Sequence, residues 1–391
     1  MRASGEGTIF YHEPSKRWRA AITVKRDGKS VRVERYADTQ KEAVRLLRAL
    51  HAQHRAGLFK HNPDRITVES HIQWWLDTVA APNFRYTSWR YYRGLARNYI
   101  FPHVGTYRLL DLEPQHIEQF LLTLNTKGGG PASPRLRQQI FDFLRKVLKN
   151  AYRRRYVEHN VCDMVYRPRI PKPDIWPLDE LQAKALVDAA KGHRLHAFFH
   201  LAVNTGMRFG ELAALQWQDI DLETARIAVQ RGLVPALVKD PAGVVKEKLI
   251  LAETKSRRGR SVPVPQYVVD VLEGHRRRME DEGHLDFVFC DKRGGPLRAS
   301  NLTRRFWREL LAMANASLPP GKKMPSRLRF HDLRHTHATM LLKEGVHAKI
   351  VSERLGHAKI STTIDQYSHV LPSMQQPAVD ALNRLFGDET K

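Results

Sequence analysis

A tyrosine, two histidines and an arginine in one short stretch are the residues of this sequence best suited to chemistry. The forty residues from Phe330 to His369, FHDLRHTHATMLLKEGVHAKIVSERLGHAKISTTIDQYSH, contain His331, Arg334, His357 and Tyr367. His331 and Arg334 are spaced i, i+3 and project from one face of a helix. His357 follows Gly356, which reads as the left-handed stop of the helix before it. Tyr367 falls in a further helix, for which Ser361 is the expected N-cap. A phenol accompanied by imidazoles and a guanidinium, with no carboxylate pair or metal motif beside it, points to a tyrosine that attacks a phosphodiester.

Taken alone, these residues have plainer readings. Tyr367 would more often be a half-buried core aromatic than a nucleophile. His331, His335, His337, His357 and His369 suggest a metal cluster. No H-E-x-x-H motif, cysteine pair or acidic ligand set accompanies them, so no metal is expected. Only the ordered constellation outweighs these readings.

That order, H-x-x-R, then L-G-H, then T-T-x-x-x-Y-S-H, resembles the C-terminal signature of the tyrosine recombinases, the phage integrase family. The family pattern has a further arginine upstream, in T-G-x-R-x-x-E-L. Thr205-Gly206-Met207-Arg208-Phe209-Gly210-Glu211-Leu212 matches it, although Arg208 by itself would read as a solvated charge or an ion-pair partner of Glu211. The resemblance also implies a lysine general acid in a hairpin, ahead of a basic turn and a V-P. Within Thr254-Lys255-Ser256-Arg257-Arg258-Gly259-Arg260-Ser261-Val262-Pro263, Lys255 fits better than Lys246 or Lys248, with a spacing one residue shorter than the family's; the plain alternative is a surface lysine meeting DNA phosphates. The likeness covers the second half of the chain closely and the first half in outline.

The chemistry assigns roles. In-line attack on a phosphodiester builds negative charge on the non-bridging oxygens, and guanidinium groups donate paired hydrogen bonds to such oxygens while staying charged. Arg208 and Arg334 take that role, and His357 adds a donor. The phenol must lose its proton, and His331 is the expected acceptor. Lys255 would protonate the departing 5′-oxygen, with Glu211 orienting an arginine. The product is a 3′-phosphotyrosine with a free 5′-hydroxyl. Bond energy is kept, rejoining needs neither ATP nor metal, and no cofactor is expected.

The composition fits a polyanionic partner. Against 65 lysines and arginines stand 41 acidic residues, a formal charge of +24, and such an excess spread along a globular chain favours nucleic acid over a membrane. No apolar run approaches the ~20 residues of a membrane span, and no signal-peptide pattern opens the sequence. Cys162 and Cys290 propose no disulfide framework.

The fold class expected is α+β, mostly helical, in three parts. Residues 1–61 show three short alternating stretches, around Thr8–Tyr11, Trp18–Lys25 and Lys29–Tyr36, with Asp27-Gly28 as a tight turn. A helix capped by Thr39 follows, with Ala43, Leu46, Leu47 and Leu50 as its apolar stripe. This resembles the arm-site DNA-binding module at the front of many integrases, and Arg17, Arg19, Lys25, Arg26, Lys29 and Arg32 are its candidate DNA contacts. Residues 64–169 read as four helices with core positions Trp75, Leu95, Phe120, Ile140, Leu144 and Leu148, similar to the family's core-binding (SAM-like) domain. Arg90, Arg93, Arg97, Lys146, Lys149 and Arg153 are candidate phosphate contacts there. YRPRIPKPDIWP reads as an extended linker. Residues 177–391 form the expected catalytic domain, with a small antiparallel sheet. There a helix runs from about Arg208 to Leu215, LVPALVKDPAGVVK is a loop, and KLILAETKSRRGRSVPVP forms two strands around a basic turn. A tail helix carries Val379, Leu382, Leu385 and Phe386 on one side, free to dock on a neighbouring protomer or on its own domain.

The resemblance implies a recombinase of a phage or other mobile element, integrating and excising DNA in a bacterial cytoplasm in association with the nucleoid. It would act on double-stranded attachment sites as a homo-tetramer, with a DNA-bending protein and an excision factor as further partners. The alternatives are a type IB topoisomerase-like relaxing enzyme and a non-catalytic DNA-binding regulator on the same fold. The T-G-x-R and L-G-H patterns and the front module argue against the first, and the complete residue set against the second.

Overall fold

The computed structural model describes residues 7–26, 29–55, 65–171, 176–239, 243–253, 259–367 and 375–386, a few of their side chains excepted. They divide into two compact units, one up to Lys172 and one from Pro173.

In the first unit, β1 (Thr8–His12), β2 (Arg17–Arg26) and β3 (Lys29–Ala37) form an antiparallel sheet in that order. Strand alternation turns Ala20, Ile22 and Val24 to one face, where they meet Val33, Ala43 and Leu50 in a small core. Ala43 and Leu50 belong to α1 (Gln40–Arg55), and Thr39 Oγ1 accepts from the Glu42 N–H at 3.3 Å at its start. The Asp27-Gly28 turn and the side chains of Lys25, Arg26 and Lys29 lie outside the described residues.

Four longer helices follow: α2 (Val68–Trp75), α3 (Tyr86–Leu95), α4 (Pro114–Thr123) and α5 (Pro134–Arg153). Thr67 and Ser70 cap each other reciprocally before α2, and Ser133 caps α5. Both α2 and α3 run on through wide π turns, Leu76–Ala80 and Ala96–Ile100. Trp75, Leu95, Phe120, Ile140, Leu144 and Leu148 are all buried in one core, distinct from that of the sheet. The proline-rich stretch is not free at its start. Arg167 pairs with Asp142 at 2.7 Å, and Gln138 donates to the Pro168 carbonyl at 2.6 Å, tying it to α5.

The second unit is built on α7 (His196–Thr205), which follows α6 (Glu180–Ala189). The sequence HAFFHLAVNT is apolar nearly all round, and a helix of that kind goes to the centre. Phe198 and Phe199 are fully buried and meet the rings of Phe209, Phe289, Trp307 and Phe330. Around it lie α8 (Phe209–Leu212), β4 (Ile220–Asp221), β5 (Arg226–Val229), β6 (Arg231–Lys239), β7 (Val245–Glu253) and β8 (Arg260–Pro263). Further along come α9 (Gln266–Asp281), α10 (Arg308–Ala316), α11 (Asp332–Lys343), α12 (Ala348–Leu355), α13 (Ile360–Tyr367) and α14 (Gln375–Phe386). Val379, Leu382, Leu385 and Phe386 on α14 are exposed. The class is α+β and mainly helical.

Four local expectations are corrected. Residues 233–246 are largely hairpin rather than loop: β6 pairs with β7 from Arg231 opposite Glu253 to Lys239 opposite Val245. The Val, Leu and Ile content favours strands, and Pro235 is tolerated because each strand of this two-stranded sheet has an open edge. Strands β7 and β8 exist as expected but join different sheets, β8 pairing with β5. The helix after Arg208 lasts one turn only; past Leu212 the chain continues in tighter turns, with Leu215 N–H donating to the Leu212 carbonyl at 3.2 Å. Ser361 lies inside α13, which starts at Ile360, and so does not cap it.

Candidate active site

Two helix ends and the start of a third bring the chemistry-bearing residues together. Gly206 ends α7 at φ +62° and ψ 20°. A side chain there would meet Leu355 and His337 within 3 Å, so the motif requires glycine for close packing as well as for its turn. The chain then extends, and Arg208 becomes the N-cap of α8. Gly356 ends α12 in the same way, at φ +67° and ψ 44°, and places His357 just beyond. His331 caps α11, so His331 and Arg334 share its first turn as expected.

Arg334 is 4% exposed. Its Nη1 donates to the Gly206 carbonyl at 2.8 Å and its Nη2 to the Leu355 carbonyl at 2.6 Å, which locks the guanidinium between both glycine stops. Burial, then the Arg208 cation, lowers its pKa to about 9, and it stays charged at neutral pH. Arg208 is held by Glu211. The carboxylate accepts from the Arg208 N–H at 3.0 Å and from Nη1 at 2.8 Å.

His357 Nδ1 lies 2.8 Å from Thr363 Oγ1 on α13. Burial, then Arg334, Arg208 and Arg260, keep it neutral down to about 4. In the tautomer that accepts from the Thr363 hydroxyl at Nδ1, Nε2 carries the proton and can donate to a phosphate oxygen. His331 is lowered as well, by the enclosure of its ring and then by Arg334. The charges of Arg208 and Arg334 thus act on both histidines, and that of Arg334 on Tyr367, as expected for one cluster.

Tyr367 is 1% exposed and packs among Ala338, Leu342, Val351 and Leu355. Burial raises its pKa to about 12, against the opposing charge of Arg334. The imidazole that meets its hydroxyl is His335, not His331: His335 Nδ1 and Tyr367 Oη are 2.9 Å apart. His335 and His337 are thereby occupied, the latter with its Nδ1 2.9 Å from the Val203 carbonyl. Lys255 and the basic turn lie outside the described residues.

Arg260 is a participant to which the sequence reading assigned no role. Its Nε donates to the Arg354 carbonyl and its Nη2 to Glu211, both at 2.7 Å, and its guanidinium packs against Gly356. Its place just before Ser261-Val262-Pro263 was the available signal.

The candidate DNA contacts of the first unit are spread over its surface. Arg17 pairs with Asp38, and Arg19 pairs with Glu34 and lies over the Phe10 ring at 4.6 Å. Arg32 donates to Thr8 Oγ1 at 3.0 Å. Arg93 lies over the Trp89 ring, and Lys146 donates to the Tyr92 hydroxyl at 2.8 Å. Arg90, Arg97, Lys149 and Arg153 are exposed.

A mainly helical α+β fold that gathers arginines, histidines and a tyrosine in this way defines the class of tyrosine-dependent DNA strand-transfer enzymes. Residues 177–374 match the phage integrase family, and residues 67–125 match the phage integrase N-terminal SAM-like domain. The chain is 31% identical to a tyrosine recombinase XerC-like protein of Caldanaerobacter subterraneus subsp. tengcongensis, over 97% of this chain and 99% of that protein. Its fold is similar to the Tn1549 transposon integrase solved with transposon right end DNA. That match has a TM-score of 0.66 and 19% identity, covering 81% of this chain and 99% of the other. It is also similar to the lambda integrase solved as a tetramer on a Holliday junction, at a TM-score of 0.54 and 17% identity over 90% and 95% of the two chains. The chain therefore belongs to the phage integrase family of tyrosine recombinases and is a site-specific DNA recombinase.

Proposed function

We propose that this recombinase integrates and excises the DNA of a phage or other mobile element by attack of Tyr367 on a phosphodiester. Arg208, Arg334 and His357 would bind the non-bridging oxygens, where loss of one donor typically costs ~2.7–4 kcal/mol of barrier. Lys255 would protonate the leaving 5′-oxygen. The observation that carries this reading is that Arg334 is bonded between the stops that precede Arg208 and His357, with its charge acting on His331, His357 and Tyr367.

Three parts would divide the work: the sheet module on arm-type sites, the helical domain and the catalytic domain on the core site. The exposed basic residues of α3 and α5 would meet phosphates. By analogy with the tetrameric lambda integrase on its junction, four protomers would act on two duplexes, with the apolar side of α14 docked on a neighbour. A DNA-bending protein and an excision factor would be the accessory partners.

Covalent trapping tests the reading. The element's flanking DNA, nicked near the cleavage point so that a short fragment escapes, is incubated with native protein and with Tyr367→Phe in EDTA. An adduct on a denaturing gel from the native protein alone is expected. Equal adducts from both proteins would remove Tyr367 from its role.

A further inference from the structure

Nothing in the sequence separates His335 from its neighbours, yet in the fold it is the group on the nucleophile. Its Nδ1 is 2.9 Å from the Tyr367 hydroxyl, and the ring is 5% exposed. His331 stands edge-on to that ring, 5.5 Å away between centres. The residues flanking His335 are immobilised. Arg334 is bonded to the Gly206 and Leu355 carbonyls, Thr336 Oγ1 lies 2.9 Å from the Leu178 N–H and donates to the Asp332 carbonyl, and His337 is bonded to the Val203 carbonyl. The backbone that carries this imidazole is therefore held by α7 and α12.

We propose that His335, and not His331, takes the phenolic proton of Tyr367 during strand cleavage; this rests on Tyr367 being the nucleophile. The bond from Oη to phosphorus forms while the bond from phosphorus to the 5′-oxygen breaks. The phenolic proton passes to His335 Nδ1, and the 5′-oxygen takes a proton from the general acid. On rejoining, the 5′-hydroxyl returns a proton to that acid and His335 returns its own to Oη. Burial, then His331, keeps His335 neutral, and its tautomer protonated at Nε2 presents an Nδ1 lone pair to the phenol. The incoming phosphodiester adds negative charge, which raises the basicity of an imidazole beside it.

The test is His335→Asn, because the asparagine Oδ1 can occupy the position of Nδ1 and accept the hydrogen bond but cannot carry the proton. Single-turnover cleavage is measured on nicked DNA and on the same DNA with sulfur in place of the leaving 5′-oxygen, which needs no acid to depart. The rate should fall by ~10²–10⁴ on both substrates, with DNA affinity and melting temperature unchanged. Replacing Tyr367 by 3,5-difluorotyrosine, whose phenol ionises more readily, should recover at least about tenfold of that loss. Cleavage within about threefold of the native rate overturns the proposal, and so does a loss that the sulfur substrate repairs. If the asparagine variant does not fold, His335→Gln is judged by the same criteria. Failure of the underlying reading is separately visible, since an adduct from Tyr367→Phe would remove the nucleophile itself.

Discussion

Glu211→Gln is expected to destabilise the second unit by about 3 kcal/mol and to slow strand cleavage by about a hundredfold, through two different arginines. Glu211 is 5% exposed, and its oxygens take three hydrogen bonds, from the Arg208 N–H at 3.0 Å, from Arg208 Nη1 at 2.8 Å and from Arg260 Nη2 at 2.7 Å. Burial alone would raise the pKa of this acid. The hydrogen bond and charge of Arg260, followed by those of Arg208, outweigh burial and hold it at about 2. The Arg260 side chain is 10% exposed, and its Nη1 is buried without a hydrogen bond partner. Removing the carboxylate charge strands that cation, and breaking a buried pair typically costs ~3–5 kcal/mol. Glutamine keeps one acceptor oxygen, which sets the lower end of the range. Arg208 is 34% exposed, so solvent screens its share to within ~1 kcal/mol. Its loss is felt instead as a misplaced guanidinium at the phosphate.

The assay is urea unfolding of the full chain, read by amide exchange in α7, α8 and α11, for Glu211→Gln, Arg260→Met and the double variant. The double variant should be less destabilised than the sum of the singles by about 2 kcal/mol, because it no longer buries an unpaired charge. A glutamine effect below about 0.5 kcal/mol, with additive double-variant energies, would refute the claim that Glu211 and Arg260 form a stabilising buried pair. Acid dependence provides a second check with a definite sign. The folded pKa of Glu211 lies below its unfolded value, so its contribution is present above the unfolded pKa and is lost as pH falls towards about 2. The glutamine variant should lack that loss.

Gly206→Ala should destabilise the second unit by at least ~2 kcal/mol, since φ is +62° and the added carbon would come within 2.7 Å of Leu355 and 2.8 Å of His337; unchanged urea unfolding would contradict this. Burial lowers His71 and His335 to about 4 and His337 to about 3, all below the ordinary imidazole value, so the unfolded chain binds protons first. Melting temperature should therefore fall as pH drops from about 6.5 towards 4, and a flat profile would reject the burial argument. Lys149→Ala with Arg153→Ala should weaken binding to any duplex alike and reduce the slope of log affinity against log salt by about 1.8, which salt titration of a fluorescent duplex measures; an unchanged slope would place these residues off the DNA.

What could be read from the sequence was local. The glycine stop at Gly356, the shared turn of His331 and Arg334, the core positions of α2 to α5 and the sheet-facing residues of α1 depend on periodicity and turn chemistry within a few residues of each position. Contacts across long separations were not legible. Spacing shows that Tyr367 follows two imidazoles, but which one meets the phenol depends on how α13 lies against α11, and the structure selects His335. The partners of Arg260 were likewise not legible, because they lie 49 residues away at Glu211 and 94 away at Arg354. The hairpin of β6 and β7 was missed because Pro235 and the turn residues signal a loop, while the pairing that overrides them is a cross-strand property.

The two short motifs also explain each other through the backbone. A helix leaves its last carbonyls without N–H partners, and these carry the negative end of its dipole. Here α7 offers the carbonyls of Val203, Asn204 and Gly206, taken by His337, Arg354 and Arg334 respectively. The other stop, α12, offers those of Arg354 and Leu355 to Arg260 and Arg334. The carbonyls of Gly206 and Leu355, one from each stop, meet on the same guanidinium. The T-G and L-G motifs therefore build the anchor for the cations, and Arg334 is the residue both helices grip. A guanidinium has five N–H donors, and Arg334 uses two nitrogens on carbonyls. Held this rigidly, its remaining donors have a set direction before any phosphate arrives, which is the condition for stabilising charge without reorganisation.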